Sequence, residues 1–370
     1  MLLTYNMSLV SWDYAGIIDR ELKLYKELSS TYGHKFTFIT FGDSNDLKYE
    51  QMYPNFKIIP IYEISKYRNS KTLRFLSSLT VFRKINKKLN NPHLIKTNQL
   101  MGFWVGLGIK YKYKCPMIIR TGYDPYSFSI NNKKSFLIRS IYYIFTQLAL
   151  FVSDEYLVST RKDELFLKKR FILPKNKIKV MPNWVETDIP YKELKVRKNE
   201  IISVGRLEAQ KNFSYLISEL SNTNFTLNLI GNGSLKEQLH NLAKSINSNV
   251  KFLNRMPNNE LIEFLTNFKY FVLPSYFEGN PKVVLEAMSA GCIVLVNNFP
   301  GIEEIITNQV DGIIINGKKE ELIKMINVLE KDNMYSTNLS KNALLTIKKN
   351  FSLKAFIEKE NILYKNLTRN

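Results

Sequence analysis

Residues 270–291, YFVLPSYFEGNPKVVLEAMSAG, predict a strand, a tight loop and a helix in immediate succession. The apolar run at 270–273 is typical of a buried strand. Gly279 permits a turn, Asn280 is a favourable N-cap, and Pro281 suits the first helical position, so the helix is predicted to begin at about Pro281. A helix N-terminus at the carboxyl end of such a strand attracts anions such as phosphate.

Two glutamates in this stretch are candidate site residues, Glu278 in the loop and Glu286 in the helix. Glu286 interrupts an otherwise apolar helix from 283 to 288, and a carboxylate there is costly unless something hydrogen-bonds to it. With 33 acidic residues in 370, the spacing of the two glutamates carries little weight. Their shared position beside a predicted anion-binding turn makes them informative.

Length and composition predict a globular protein with two domains. A chain of 370 residues can bury two cores, and 45% hydrophobic residues exclude a disordered or collagen-like chain. Cys115 and Cys292 have no metal-ligand spacing, which fits a reducing cytoplasm and predicts no metal site. No basic region opens the sequence, so no signal peptide is expected.

The apolar stretch at 136–152 is interrupted by Arg139 and Gln147 and is shorter than a bilayer span, so we expect a buried helix there.

The net charge of +20 is concentrated in the first half, where residues 51–140 contain 17 basic and two acidic residues. This excess indicates an anionic surface or substrate nearby, although solubility of a lysine-rich chain explains it too. Residues 71–89 have helical periodicity and a basic side that can lie on an anionic membrane surface. Their apolar side fits a protein core equally well.

Predicted strands alternate with helices throughout the chain, which indicates two doubly wound, Rossmann-like α/β domains. We place the first domain at 1–185, a polar linker at 186–199, the second domain at 200–351, and a last helix at 352–370. The predicted strands lie at 1–9, 35–41, 54–62, 93–98, 117–120, 155–159, 177–181, 201–204, 225–230, 250–253, 270–273, 293–296 and 312–315.

Basic residues and glycines follow two strands of the second domain. Arg206 and Lys211 come after the first strand, where two cations can neutralise a diphosphate or simply be solvated. Gly231 and Gly233 form a tight turn after the next strand, which a nucleotide can approach closely, although a purely structural turn explains the pattern as well.

The first domain contributes two candidate loops. Gly16 precedes the first long helix and allows the backbone to approach a ligand. Arg120-Thr121-Gly122-Tyr123-Asp124 follows a strand and is predicted to line the ligand cleft.

These motifs, taken in order, resemble those of the retaining nucleotide-sugar glycosyltransferases of family four, the glycosyl transferases group 1. The resemblance is strong over about 178–315. It rests on Pro182-Asn183-Trp184-Val185, Gly205-Arg206-Leu207 with Lys211-Asn212, Gly231-Asn232-Gly233, and Glu278-Gly279-Asn280-Pro281 through Glu286-Ala287-Met288. It implies the GT-B fold, in which two Rossmann-like domains face a central cleft and the C-terminal helix packs back on the N-terminal domain.

The resemblance also implies an activity: transfer of a sugar from a nucleoside diphosphate donor to a lipid-linked or soluble glycan acceptor in surface polysaccharide biosynthesis. The enzyme would be cytoplasmic, peripheral on the inner face of the membrane. It would need no metal or other cofactor. Separately, no nucleic-acid-binding motif accompanies the positive charge, so no nucleic-acid partner is expected.

Roles for single residues follow from the same resemblance. Arg206 and Lys211 would hold the donor diphosphate, Glu286 the ribose hydroxyls, and Glu278 the transferred sugar, where it stabilises positive charge at the anomeric carbon. The remaining donor-binding positions would be Gly279, Asn280, Pro281, Lys282, Gly231, Gly233 and Gly16.

One feature of the family is missing. Many members have a histidine in the first-domain loop that faces the donor sugar, but none of the three histidines of this chain lies in loop 120–124. Arg120 and Tyr123 are the candidates for that place. The missing histidine also leaves open a protein that binds nucleotide sugars or glycans without turnover.

Overall fold

The computed structural model describes residues 1–172 and 175–368, and the chain divides into two compact units. Unit 1 contains Met1–Pro182 and the part of the chain from Ile357 on, and unit 2 contains Asn183–Phe356. Both are parallel α/β units, as the alternating pattern predicts.

Unit 1 has two groups of parallel strands, β1-β2 and β3-β4-β5-β6. The strands are β1 (Phe36–Thr40), β2 (Phe56–Pro60), β3 (Ile95–Thr97), β4 (Met117–Arg120), β5 (Glu155–Val158) and β6 (Ile178–Val180). The helices are α1 (Leu9–Tyr14), α2 (Ile18–Tyr32), α3 (Lys48–Met52), α4 (Ile61–Ile64), α5 (Lys71–Ser78), α6 (Phe82–Ile85), α7 (Phe103–Tyr113), α8 (Pro125–Asn131), α9 (Phe136–Val152) and α10 (Arg161–Arg170).

The strand predicted at 1–9 is wrong beyond its first residues. Leu2 alone forms parallel bridges, one to Ile39 of β1 and one to Thr97 of β3. From Ser8 the backbone turns into α1 because the side chains of Ser8 and Ser11 cap each other's backbone N–H groups reciprocally.

Two helix predictions in unit 1 also need correction. The helix predicted at 71–89 is divided into α5 and α6. The helix predicted to be buried at 136–152 buries one side only: Thr146, Ala149 and Leu150 face the core, whereas Phe136 is 85% exposed. Helix α9 has apolar side chains on more than one side, but the rest of unit 1 covers only the side that packs against it.

Unit 2 contains one sheet of six parallel strands in the order β12-β11-β10-β7-β8-β9. The strands are β7 (Lys198–Val204), β8 (Leu227–Ile230), β9 (Val250–Leu253), β10 (Phe268–Leu273), β11 (Ile293–Asn297) and β12 (Ile313–Ile315). The helices are α11 (Phe213–Glu219), α12 (Lys236–Ser245), α13 (Asn258–Leu265), α14 (Lys282–Ser289), α15 (Glu321–Lys331) and α16 (Asn333–Asn350).

The central strands of unit 2 are buried on both faces. Phe271 and Leu273 of β10 belong to one apolar cluster, and their neighbours Tyr270 and Val272 belong to the other. This double burial explains why β10 is a continuous apolar run, a pattern typical of parallel sheets covered by helices.

The segment at 186–199, expected as a linker, lies within unit 2. Leu194 belongs to one of the apolar clusters of unit 2, and β7 already begins at Lys198. Arg197 is buried, and its guanidinium donates hydrogen bonds to the carbonyl oxygens of Lys192 and Ala290. These contacts hold the end of the segment against the unit.

The last helix, α17 (Leu353–Thr368), packs on unit 1 from Ile357 onward, as predicted for the C-terminal helix. Its Glu360 forms a buried ion pair with Lys96 of β3. Within residues 1–172 and 175–368, none of the helices has the length and hydropathy that a bilayer-spanning segment requires.

Candidate functional site

The candidate site of unit 2 lies where the strand order reverses. β7 and β10 are neighbours in the middle of the sheet, with Ile201 opposite Tyr270 and Ile202 opposite Phe271. The chain continues from β7 toward β8 on one side and from β10 toward β11 on the other. In open α/β sheets, ligands bind outside the carboxyl ends of the two strands at this position.

The loops that follow β7 and β10 are tied together by their backbones. The backbone N–H of Tyr276 donates to the carbonyl oxygen of Gln210 at 3.0 Å. The Gln210 side chain donates in return to the carbonyl oxygen of Phe277 at 2.7 Å. Gln210 was not among the predicted site residues because its partner is distant in sequence.

The same loops bring two predicted residues, Lys211 and Glu278, into direct contact. The ammonium of Lys211 donates to Oε1 of Glu278 at 2.6 Å, and the Ser275 hydroxyl donates to the same oxygen at 2.7 Å. Both charged side chains are mostly buried, with 12% and 11% exposed. Among the described residues, no hydrogen bond to Oε2 of Glu278 is observed.

Lys211 lies in a short 3-10 turn, Ala209–Lys211, rather than in the first turn of an α-helix, since α11 begins at Phe213. Its ammonium has three donors, so it can contact a carboxylate and a phosphate together. Arg206, earlier in this loop, is exposed. The loop therefore offers one cation held by Glu278 and one at the surface.

Glu286 of α14 has the hydrogen-bond partner that its apolar surroundings demand. The side-chain amide of Asn258, the first residue of α13, donates to Oε1 of Glu286 at 2.8 Å. Both residues are buried. The sequence analysis missed Asn258, although it lies shortly after β9, at the carboxyl end of another strand of the same sheet.

The helix after β10 begins one residue later than predicted, and Asn280 is not its N-cap. Pro281 is the N-cap and Lys282 the first helical residue. The Asn280 side-chain oxygen instead accepts from the backbone N–H of Asn183 at 2.9 Å. The Asn183 side-chain amide donates to the Asn280 carbonyl oxygen at 2.7 Å. This reciprocal pair fixes the loop that carries Glu278 and Gly279.

Gly231 and Gly233 allow the loop after β8 to pack on the loop after β7. A Cβ atom on Gly231 would overlap the Gly205 carbonyl oxygen, and one on Gly233 would overlap the Leu207 carbonyl oxygen. The backbone φ of Gly231 is +151°, which disfavours other residues. Loop packing therefore requires both glycines, whether or not a ligand approaches the turn.

The candidate site residues of unit 1 are Gly16, Arg120 and Tyr123. They lie at or just beyond the ends of helices and strands of that unit. Gly16, between α1 and α2, has a φ of +61°, which explains the glycine locally. Arg120 is the last residue of β4. The Tyr123 hydroxyl accepts from the side-chain amide of Asn131 at 2.7 Å, and its ring contacts Phe128.

Asp124, beside these candidates, organises their loop. Its Oδ1 accepts from the backbone N–H of Ser127 at the start of α8, and its Oδ2 accepts from the hydroxyls of Thr146 and Tyr156. Burial raises the pKa of the Asp124 carboxyl to about 6. The residue is a structural cap.

Neither cysteine nor any acidic cluster forms a metal site in the described part of the chain. Cys115 and Cys292 are buried free thiols, and burial raises the pKa of both. No group of three or more His, Cys, Asp or Glu side chains is arranged to hold a metal ion among these residues.

Comparison with known proteins shows which proteins this chain is similar to. Residues 185–345 match the family model "Glycosyl transferases group 1". An uncharacterized glycosyltransferase of Haemophilus influenzae is 26% identical over 315 residues, which cover 80% of this chain and 82% of the relative. An Escherichia coli relative, named UDP-Gal:alpha-D-GlcNAc-diphosphoundecaprenol alpha-1,3-galactosyltransferase, is 28% identical over 223 residues, 54% of this chain and 57% of the relative.

The solved structures agree on the fold. Anabaena Alr3699/HepE, crystallised with UDP and glucose, superposes with a TM-score of 0.76 at 16% identity, covering 99% of each chain. The expected GT-B fold is thereby confirmed. Residues 185–345, which contain most of unit 2 and the strand-end loops described above, are therefore similar to the glycosyl transferases group 1.

Proposed function

We propose that this protein transfers a sugar from a nucleoside diphosphate donor to a lipid-linked glycan, with retention of the anomeric configuration. The observation that carries the proposal is the contact between Lys211 and Glu278 at the carboxyl ends of β7 and β10. A cation for the leaving phosphate and an anion for the reacting sugar are adjacent there. Support comes from the Anabaena neighbour, which was crystallised with UDP and glucose, and from the E. coli relative, named for a lipid diphosphate acceptor.

Lys211 and Arg206 neutralise the donor diphosphate in this proposal. Fixed cations aimed at the charge that develops on a leaving phosphate stabilise the transition state without reorganisation. They take the place that a divalent ion has in metal-dependent transferases, so no metal or other cofactor is required.

The remaining donor contacts come from loops that the fold already holds in place. Glu286, oriented by Asn258, accepts hydrogen bonds from the ribose hydroxyls. The loop residues Gly279, Asn280, Pro281 and Lys282 position the sugar and the phosphate, and the Asn183–Asn280 pair supports this loop. Gly231, Gly233 and Gly16 let the backbone approach the donor.

Glu278 stabilises the positive charge that develops at the anomeric carbon as its bond to the phosphate oxygen breaks. The acceptor hydroxyl attacks from the side that the phosphate leaves, and the leaving phosphate takes the hydroxyl proton. This order retains the configuration, as in family four, and Glu278 need not act as an acid or a base.

We propose that Arg120 and Tyr123 of unit 1 contact a sugar substrate in place of the family histidine. The lipid-linked acceptor belongs to surface polysaccharide biosynthesis. The enzyme then acts in the cytoplasm, as a peripheral protein on the inner face of the membrane.

A panel of nucleotide sugars tests the proposal, first by thermal shift and then by donor hydrolysis with the full-length protein. Glu278→Gln should abolish hydrolysis, and Arg206→Ala should strongly lower nucleotide affinity by calorimetry. Glu237→Gln, an exposed change on α12, is the matched control. Full activity of Glu278→Gln would refute the assignment, and the anomeric form of the product, read by NMR, tests retention.

The second candidate function is a protein that binds nucleotide sugars or glycans without turnover. The absence of a histidine from loop 120–124 favours it. The hydrolysis assay separates the two functions, because product formation that disappears in Glu278→Ala excludes a pure binding protein. Chelation of metal ions should leave the rate unchanged if the cation pair alone acts on the diphosphate.

A further inference from the structure

Helix α9 presents an apolar stripe to solvent. Its members recur every three or four residues and therefore lie on one side of the helix. We call this the outer stripe: Leu137, Ile141, Ile144, Leu148 and Phe151. Exposure runs from 43% at Ile141 to 71% at Phe151. Single exposed apolar residues are ordinary, but five in a continuous row indicate an interaction surface.

The opposite side of α9 is firmly packed, so the exposure of the stripe is not fraying. Thr146 and Leu150 are buried in unit 1. Phe145 packs against Phe75 of α5, with 6.3 Å between ring centroids. Helix α5, which α9 contacts in this way, exposes Leu73 and Leu76. The outer stripe and these two leucines are therefore exposed apolar residues of two helices in contact.

Basic residues border this surface and acidic residues are nearly absent from its part of the chain. From 64 to 153 the sequence contains 16 lysines and arginines and a single acid, Asp124, which is buried. Exposed Lys133 and Lys134 immediately precede α9, and exposed Lys66, Arg68 and Lys71 lie at the start of α5. Exposed cations therefore precede both helices of this apolar surface.

We propose that the outer stripe of α9 docks unit 1 on an anionic lipid bilayer. An amphipathic helix lies in the interface with its apolar side among the acyl chains, while lysines and arginines contact anionic headgroups. A bilayer supplies both kinds of contact at once. A second copy of this chain does not, because its own cations would face those of the first without acids to pair with them.

The proposal deepens the peripheral membrane location given in the proposed function by naming the surface, but it does not depend on the transferase reaction, since no donor or acceptor takes part in docking. It also differs from the sequence-based expectation for the surface. For residues 71–89 the sequence left two alternatives, a membrane face and a core-facing side, whereas most of the exposed apolar residues lie on α9. In this arrangement α5 adds Leu73 and Leu76 to that face.

Sedimentation of the full-length protein with vesicles tests the proposal. The vesicles contain phosphatidylcholine alone or phosphatidylcholine with phosphatidylglycerol. We expect binding to the anionic vesicles that weakens with salt. Ile144→Glu with Leu148→Glu should lower it by more than about tenfold, since two partly exposed side chains lose apolar burial. Lys133→Gln with Lys134→Gln should weaken it by about fivefold per lysine.

Val328→Glu with Leu345→Glu is the matched control, because it adds the same charge at exposed apolar positions of α15 and α16 in unit 2. Circular dichroism checks that every variant is folded, and the lysine pair, at exposed positions, keeps the test valid if the glutamates unfold unit 1. Equal recovery of the protein in both supernatants would overturn the proposal. So would a dimer in light scattering that the α9 glutamates dissociate, because the stripe would then be an interface between copies.

Discussion

The Nζ atom of Lys211 lies 2.6 Å from Oε1 of Glu278, although the two residues are 67 positions apart in the chain. They follow β7 and β10, the two strands between which the order of the sheet reverses. Ser275 adds a second hydrogen bond to the same carboxylate oxygen. Because the pair is mostly buried, removing either partner leaves an uncompensated charge at the candidate site.

Substitutions of this pair should have different kinetic effects. Glu278→Gln has the shape of the native side chain and should keep the affinity for nucleoside diphosphate while lowering kcat by about 10²-fold or more, because the charge facing the anomeric carbon is lost. Lys211→Met should lower both nucleotide affinity and kcat. Calorimetry and steady-state hydrolysis measure the two effects. Equal loss of nucleotide affinity in both variants would contradict the separate roles.

Asn258 is expected to act on the donor only through Glu286. Asn258→Ala removes the hydrogen bond at 2.8 Å and leaves a buried carboxylate less well oriented, so KM for the donor should rise by roughly tenfold, the equivalent of one lost hydrogen bond to a charged group. Asn258→Asp should be worse, since two buried carboxylates would repel each other. Steady-state kinetics of the native protein and both variants measure the donor KM and kcat separately. A fall in kcat without a change in KM would exclude this positioning role.

Gly231→Ala should destabilise unit 2 by about 3 kcal/mol or more, because the added Cβ would overlap backbone that cannot move aside cheaply. Gly33→Ala is the control: its φ of +73° is also left-handed, but no atom lies within 4 Å of the added Cβ. We expect Gly33→Ala to lower the free energy of unfolding by about 1 kcal/mol, which is the cost of the left-handed conformation alone. Urea unfolding measures both changes, and similar losses would show that loop packing is not the reason for Gly231.

Asp124 should make the stability of unit 1 depend on pH. Burial raises its pKa from 3.8 to about 6, so the folded unit binds the proton more tightly than the unfolded chain does. The stability that this tighter proton binding contributes is fully present below the pKa of the unfolded chain and is lost as the pH rises through about 6. Between about pH 5 and pH 8 the loss should be about 1 kcal/mol.

Asp124→Asn should remove this dependence, since the amide oxygen can still cap α8 without an ionisable group. Asp188→Asn, at an exposed position of unit 2, removes the same charge as a control. Urea unfolding at several pH values is the measurement. An Asp124→Asn protein that loses stability over the same pH range as the native protein would show that another group titrates.

The two-unit α/β architecture and the motifs at strand ends follow from the sequence by itself. Apolar runs and helical periodicity are local properties, so β4 and β9 have the predicted bounds and the other strands predicted after residue 9 overlap the observed ones. Glu286 could be singled out in the same way, because a carboxylate on an apolar helix demands a partner wherever the helix packs.

Only the tertiary structure decided which loops meet and which surfaces stay exposed. Strand order places Lys211 beside Glu278, and helix packing places Asn258 on Glu286 and Asn183 on Asn280; no pattern within a short window contains these pairs. The exposure of α9 is of the same kind, because periodicity shows that a helix is apolar but not which of its sides the rest of the unit will cover. Burial and long-range hydrogen bonds are properties of the packed chain.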